Sequence, residues 1–207
     1  MVVTFLNDYF IECIDIIDGH LCDLFNCIST SGYFPESWAH GVLIPLHKNG
    51  SISDVNNYRV ITFVSCFSKL FTTRTVLNKR LEQLCNDDDV ISEAQFGFRK
   101  GRPTVDAIFI LNTKEQNNIK ENERLHVLYV DMLKCFESIY RSALWLKLYK
   151  CGIKGKLLQI VRDMYENVKS CVKSCSSLSE YFSYSVGLRQ GEVMSPILFS
   201  LFLEDLP

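Results

Sequence analysis

Val127-Leu128-Tyr129-Val130-Asp131-Met132-Leu133-Lys134-Cys135-Phe136-Glu137 is the stretch from which the chain is read outward. The β-branched, aliphatic and aromatic run from Val127 to Val130 predicts a buried strand. It stops at an acid, Asp131, and a second acid, Glu137, follows directly after the bulky Phe136. A carboxylate at the end of a buried strand is costly to desolvate unless a cation or a donor compensates it. Asp131 is therefore a candidate ligand for a divalent cation such as Mg2+. A strand-end acid capping the next helix is the competing reading.

Length and composition bound the rest. A chain of 207 residues with 47% hydrophobic and 12% aromatic side chains has the material for a substantial core in one large domain or two small ones. No apolar run approaches the ~20 residues of a membrane span; the longest candidate, Pro196 to Leu203, is far too short. Asn7, Asp8, Glu12, Asp15 and Asp18 interrupt any signal-peptide pattern at the N-terminus. Nine scattered cysteines include no CxxC, and Cys171 and Cys175 have no partners at zinc-site spacing. They read as reduced thiols of an intracellular protein, with nucleus and cytoplasm both open. A net charge of −2 counts against a strongly basic nucleic-acid binder and leaves room only for a local basic groove.

Downstream of Glu137 the pattern is helical. A helix is expected from about Arg141 to Lys150, closed by Gly152, and a second one bearing Leu157, Leu158, Val161, Met164, Tyr165 and Val168. Residues 170–174 and 181–186 read as two strands. Gly187-Leu188-Arg189-Gln190-Gly191 breaks the pattern, and Ser195 as N-cap, with Pro196 at the first helical position, opens a helix so apolar that it must be buried.

Upstream, Leu6, Phe10, Cys13, Ile17, Leu21, Leu24 and Ile28 mark one amphipathic helix, or two broken near Asp18-Gly19-His20. Runs 41–48 and 58–64 predict a hairpin with a long polar connection. Lys48 and Arg59 sit at corresponding ends of it; Arg59, inside an apolar run, calls for an acid or a phosphate. Ser65 is a candidate cap for a long helix with Phe67, Leu70, Phe71, Leu77, Leu81 and Leu84 on one face. Asn86 to Asp89 is acidic but lacks EF-hand spacing and reads as a solvated loop. Gln95-Phe96-Gly97-Phe98-Arg99-Lys100-Gly101-Arg102-Pro103 mixes aromatics with cations, a composition that suits either a single-stranded nucleic-acid surface or a flexible loop. The next helix, capped by Thr104, should turn Val105, Ile108, Phe109 and Leu111 inward. With neither linker nor repeat, one mixed α/β unit is expected.

Taken together, these stretches resemble the reverse transcriptase domain of non-LTR (LINE-type) retrotransposons. Phe34-Pro35-Glu36-Ser37-Trp38, Ile44 to Lys48 and Asn57 to Ile61 resemble the family's fingers segments. Gln95 to Arg99 with Thr104 to Ala107 is similar to its next box. Asp131 to Phe136 resembles the first catalytic box, and Gly187 to Gly191 with Ser195-Pro196 the box after it. The resemblance implies an α/β (α+β) right-hand polymerase fold: fingers over about 1–125, a partial palm over about 126–207, and no thumb. It implies template-directed DNA synthesis from an RNA template, a DNA primer and dNTPs with Mg2+ or Mn2+. Asp131 would be the catalytic metal-binding carboxylate with the Met132 carbonyl nearby. Lys48 and Arg59 would grip the triphosphate, Phe136 would lie under the sugar, and Gln190 and Gly191 would line the nucleotide pocket. Gln95, Phe96, Phe98, Arg99, Lys100 and Arg102 would contact nucleic acid. The chain departs from the family at Glu137, where aspartate is usual, and at Glu192-Val193-Met194, which would bring a new acid to the pocket.

The family's third box, with its paired aspartates, would follow Pro207. The expectation is therefore an enzyme site incomplete in this chain. The alternatives are a non-catalytic nucleic-acid-binding remnant or the product of a decayed element. Oligomeric state is left open.

Overall fold

In the computed structural model, residues 12–75, 77–87, 90–174 and 177–204 are described. Leu6 and Phe10 of the expected first helix, Asp88 and Asp89 of the acidic loop, and Cys175 lie outside them. Helix α1 runs from Ile14 to Ser31 without the break considered at Gly19, and Gly32 ends it in the left-handed conformation, its N–H returning to Ile28 O at 2.9 Å. Phe25 on α1, Phe34 and Trp38 in the following turn, and Phe67 and Phe71 further on form one aromatic cluster, with Trp38 stacked on Phe67 at 5.8 Å.

The hairpin forms as expected. Strand β1 (Gly41–His47) pairs antiparallel with β2 (Tyr58–Val64), Leu46 opposite Arg59 and Leu43 opposite Thr62. The other edge of β1 pairs in parallel with β3 (Lys169–Ser174), which also carries the short strands β4 (Ser177–Leu178) and β5 (Phe182–Ser183). The strand expected over residues 181–186 shortens to β5 plus a bridge from Val186 to Tyr140.

The single long helix expected after Ser65 is divided. Helix α2 (Cys66–Leu70) widens into a π-turn, Phe71–Thr75, before α3 (Leu77–Asp87). Phe71, Leu77 and Leu81 still reach the core. Helix α5 (Arg141–Lys150), closed by Gly152 at φ +86°, packs on α6 (Gly155–Glu166) and on α7 (Ser195–Leu203). Leu144 and Leu148, Ile160 and Met164, and Leu198 and Leu201 from these three helices form the centre of the core. Ser195 does not cap α7 with its side chain: its buried hydroxyl donates to Arg189 O at 2.7 Å and meets the Tyr165 hydroxyl at 3.1 Å.

Residues 104–133 correct the sequence reading twice. Helix α4 (Thr104–Lys120) has no buried residue; Val105, Ile108 and Phe109 face solvent, and Leu111 is half-buried. Val127 to Val130 forms no strand: Leu128 is 86%, Tyr129 79% and Val130 74% exposed. β-Propensity records a side chain's fit to a pleated, half-buried surface, and a strand also needs a neighbour for its backbone N–H and C=O groups. None of the named strands pairs with this run.

Candidate nucleotide and nucleic-acid site

The turn after Asp131 and the loop 187–191 are built as one piece. Gly187 N–H donates to Ile139 O at 2.8 Å and Leu188 N–H to Phe136 O at 2.7 Å. Gly187 has φ +84°, and a Cβ there would lie 2.7 Å from Glu137 O, so the position demands glycine for both conformation and space. The loop then meets the free edge of β2, where Thr62 N–H donates to Gln190 O at 2.7 Å. Gly191, at φ +102°, comes so close that a Cβ would stand 3.0 Å from Thr62 O and 3.3 Å from Ile61 Cγ2. Strand alternation puts Arg59 and Ile61 on one face of the hairpin and Val60 and Thr62 on the other; Lys48, just past β1, donates its N–H to Asn57 O at 2.8 Å and so continues the register on the Arg59 face. A cleft of about 200 Å3 opens on the Val60 and Thr62 side, lined also by Glu137, Tyr184, Leu188 and Gln190. The loop therefore wraps the strand edge, with Gln190 on the cleft side and Gly191 against Ile61. The Gln190 carboxamide donates through Nε2 to Glu137 Oε1 at 2.5 Å.

A buried polar cluster supports this loop from behind. Arg141 opens α5, where a cation opposes the helix dipole. Its guanidinium is instead buried and donates to Gly187 O and Tyr184 O at 2.9 Å, to Tyr165 O at 2.5 Å and to Val186 O at 3.4 Å. Burial pulls this guanidinium below its ordinary range, opposed by Tyr184 and Tyr165. Arg189 donates to Met164 O and lies, like Arg141, 5.4 Å from the centre of the Tyr165 ring. Burial, with the Glu192 charge adding to it, pushes the Tyr165 phenol above its ordinary range. Glu192 is 3% exposed and accepts from Thr72 Oγ1 at 3.0 Å. The acid expected at the nucleotide pocket therefore points into the core, toward the π-turn. Thr62, Thr72 and Tyr165 went unrecognised as site supports in the sequence; the cation at a helix start was the one legible hint, at Arg141.

The other candidate residues fall into three groups. Lys48 and Arg59 are exposed on their shared face, and neither has an acidic partner among the described residues. The Phe136 ring stacks on Phe199 at 4.4 Å and meets the edge of Phe98 at 6.0 Å, which joins the turn to α7 and to the 95–102 loop. In that loop Gln95 and Phe96 are half-buried. Arg99 and Arg102 both turn to Glu93, and Arg102 also covers the Phe96 ring. Phe98, held at φ +61°, and Lys100 stay exposed.

Asp131 is exposed, so the desolvation argument for a cation lapses: its carboxylate is already solvated. Met132 is beside it, Glu137 is engaged by Gln190, and no group of three or more His, Cys, Asp or Glu residues gathers among the described residues. The donors present do not fit a complete two-ion centre.

The family model "Reverse transcriptase (RNA-dependent DNA polymerase)" matches residues 46–207. The chain is 27% identical to the probable RNA-directed DNA polymerase from transposon BS of Drosophila melanogaster, over 91% of this chain and 20% of that protein. It is also 27% identical to the RNA-directed DNA polymerase from mobile element jockey of the same organism, over 89% of this chain and 20% of the relative. The chain thus spans about a fifth of these relatives. Among solved structures, the apo telomerase from Candida tropicalis truncated from its C-terminal domain superposes with a TM-score of 0.52 at 18% identity, covering 87% of this chain and 44% of that one. That likeness shows the fold, the right-hand polymerase fold expected from the motifs. With the motif-bearing turn, loop and hairpin gathered at one strand edge, and the match covering most of its length, the chain belongs to the reverse transcriptase family.

Proposed function

We propose that this chain is the nucleotide- and template-binding part of an RNA-directed DNA polymerase of a mobile element, with residues of about 1–125 serving as fingers and about 126–207 as palm. One observation carries the reading: Lys48 and Arg59 share an exposed hairpin face, without acidic partners among the described residues, beside the edge that the Gln190-Gly191 loop wraps. Two exposed cations of this kind suit the phosphates of a dNTP. Gly191 lets the loop lie close against Ile61 and Thr62, which holds Gln190 at the edge of the hairpin. Phe98 and Lys100, with Gln95, Phe96, Arg99 and Arg102 beneath them, offer a stacking and charged surface to an RNA template and its DNA primer. Asp131 is the carboxylate assigned to a divalent ion, Mg2+ or Mn2+, with the Met132 carbonyl beside it. The donors among the described residues do not complete that centre, and the share of the work proposed for this chain is binding. The scattered cysteines, with no CxxC among them, suit an intracellular setting.

The experiment is a titration of the purified chain with dTTP, followed by calorimetry. Saturable binding that weakens about tenfold in Lys48→Ala and in Arg59→Ala, the loss of about 1.4 kcal/mol for one charge-assisted contact, supports the reading. Absence of saturable binding, or binding indifferent to both substitutions, overturns it.

A further inference from the structure

We propose that Glu137 is a positioning residue that holds the Gln190 side chain on the cleft side of β2, away from the face bearing Lys48 and Arg59. The inference rests on the nucleotide-binding reading and assigns Gln190 a held and a released position.

Both ends of the bridge are fixed by backbone contacts. Glu137 lies between the Leu188-to-Phe136 and Gly187-to-Ile139 hydrogen bonds and is pressed against Gly187. Gln190 is pinned through its carbonyl to Thr62 N–H. An ionised carboxylate only accepts, so the carboxamide must turn its NH2 toward Glu137. The reach depends on side-chain length. With glutamate the contact is 2.5 Å; an aspartate on the same backbone would stand about 1.5 Å further off, beyond hydrogen-bond range. The length of the glutamate side chain at position 137 is therefore what makes this contact possible. While Glu137 holds it, Gln190 contributes nothing to a ligand on the Lys48 and Arg59 face, and a ligand recruiting it must compete with the carboxylate.

The primary test is the side-chain amide of Gln190 in 15N-labelled full chain, assigned by its loss in Gln190→Ala. The expected result is a Gln190 Nε2 proton shifted downfield and protected from exchange. The shift should be lost in Glu137→Asp, which keeps the charge, and retained in Glu137→Gln, which keeps both length and an accepting oxygen. An otherwise unchanged backbone amide spectrum shows that each variant is folded. The second arm titrates dTTP. Glu137→Asp should bind about fivefold tighter, and adding Gln190→Ala should cancel the gain, a non-additivity that a purely structural role does not produce. A Gln190 amide at its random-coil position in the wild-type chain, or one indifferent to Glu137→Asp, overturns the proposal, as does additive behaviour of the two substitutions. Failure of every variant to bind dTTP while the amide shift behaves as described overturns the nucleotide-binding reading instead.

Discussion

Replacing Gly187 with alanine isolates the contact that joins the Asp131 turn to the nucleotide loop. Two costs add. The residue sits at φ +84°, where a side chain costs about 1–2 kcal/mol. The new Cβ would also stand 2.7 Å from Glu137 O and 2.8 Å from Glu137 Cα, both backbone atoms, so one chain must move away. That movement weakens the hydrogen bonds to Ile139 O and Phe136 O, each worth about 1 kcal/mol. The sum is about 3–4 kcal/mol, or a fall in Tm of about 10 °C for a domain of this size. Gly152 is the control. It has φ +86°, yet a Cβ there meets nothing within 4 Å, so Gly152→Ala bears the conformational cost alone and should lower Tm by about 3 °C. Thermal unfolding followed by circular dichroism compares the two directly. Equal shifts would refute the reasoning, because the loop would then not be pressed against the turn.

Three further outcomes are expected. Tyr165 is buried with its phenol raised, so the folded state keeps a proton that the unfolded chain releases above a pH of about 10. The stability tied to the neutral phenol is thus complete below that pH and declines above it, by up to about 1.4 kcal/mol per pH unit; urea midpoints at successive alkaline pH values should fall less steeply in Tyr165→Phe. Leu128→Lys, on the exposed run, should leave the urea midpoint nearly unchanged, whereas Leu148→Ala, fully buried in α5, should cost about 2–5 kcal/mol; a comparable loss from both would place residues 127–130 in the core after all. Lys100→Ala should lower the slope of log affinity for single-stranded RNA against log salt by about 0.7, the share of one phosphate contact, and an unchanged slope would remove Lys100 from the interface.

Much of this architecture was legible because it rests on local rules. Three- and four-residue spacing gave α5 and α6, and Gly152 stopped α5 where a left-handed residue was needed. Two β-rich runs around a polar connection gave the hairpin, with Lys48 and Arg59 at corresponding ends of it. What was not legible depends on partners distant in sequence. Val127 to Val130 and the apolar side of α4 have residues suited to burial, but a pattern shows what a segment would bury and not whether a neighbour covers it. The π-turn at Phe71–Thr75 contains neither proline nor glycine to announce a break in the helix. Ser195 and Glu192 read as a helix cap and a pocket acid, and each found a buried partner instead, Arg189 O and Thr72 Oγ1. At the site, the motif residues Phe136, Gln190 and Gly191 were recognisable. The contacts that place them, from Thr62, Glu137 and Arg141, required the fold.

The central proposal, that this chain binds as part of a polymerase and that its described residues do not complete the catalytic centre, is met most directly by primer extension. The purified chain is incubated with an RNA template, an annealed DNA primer, dNTPs and Mg2+, beside its Asp131→Asn variant. The account predicts no elongation by either protein. Nucleotide addition by the wild-type chain, abolished in Asp131→Asn, would contradict it and show that residues 1–207 assemble a working metal site.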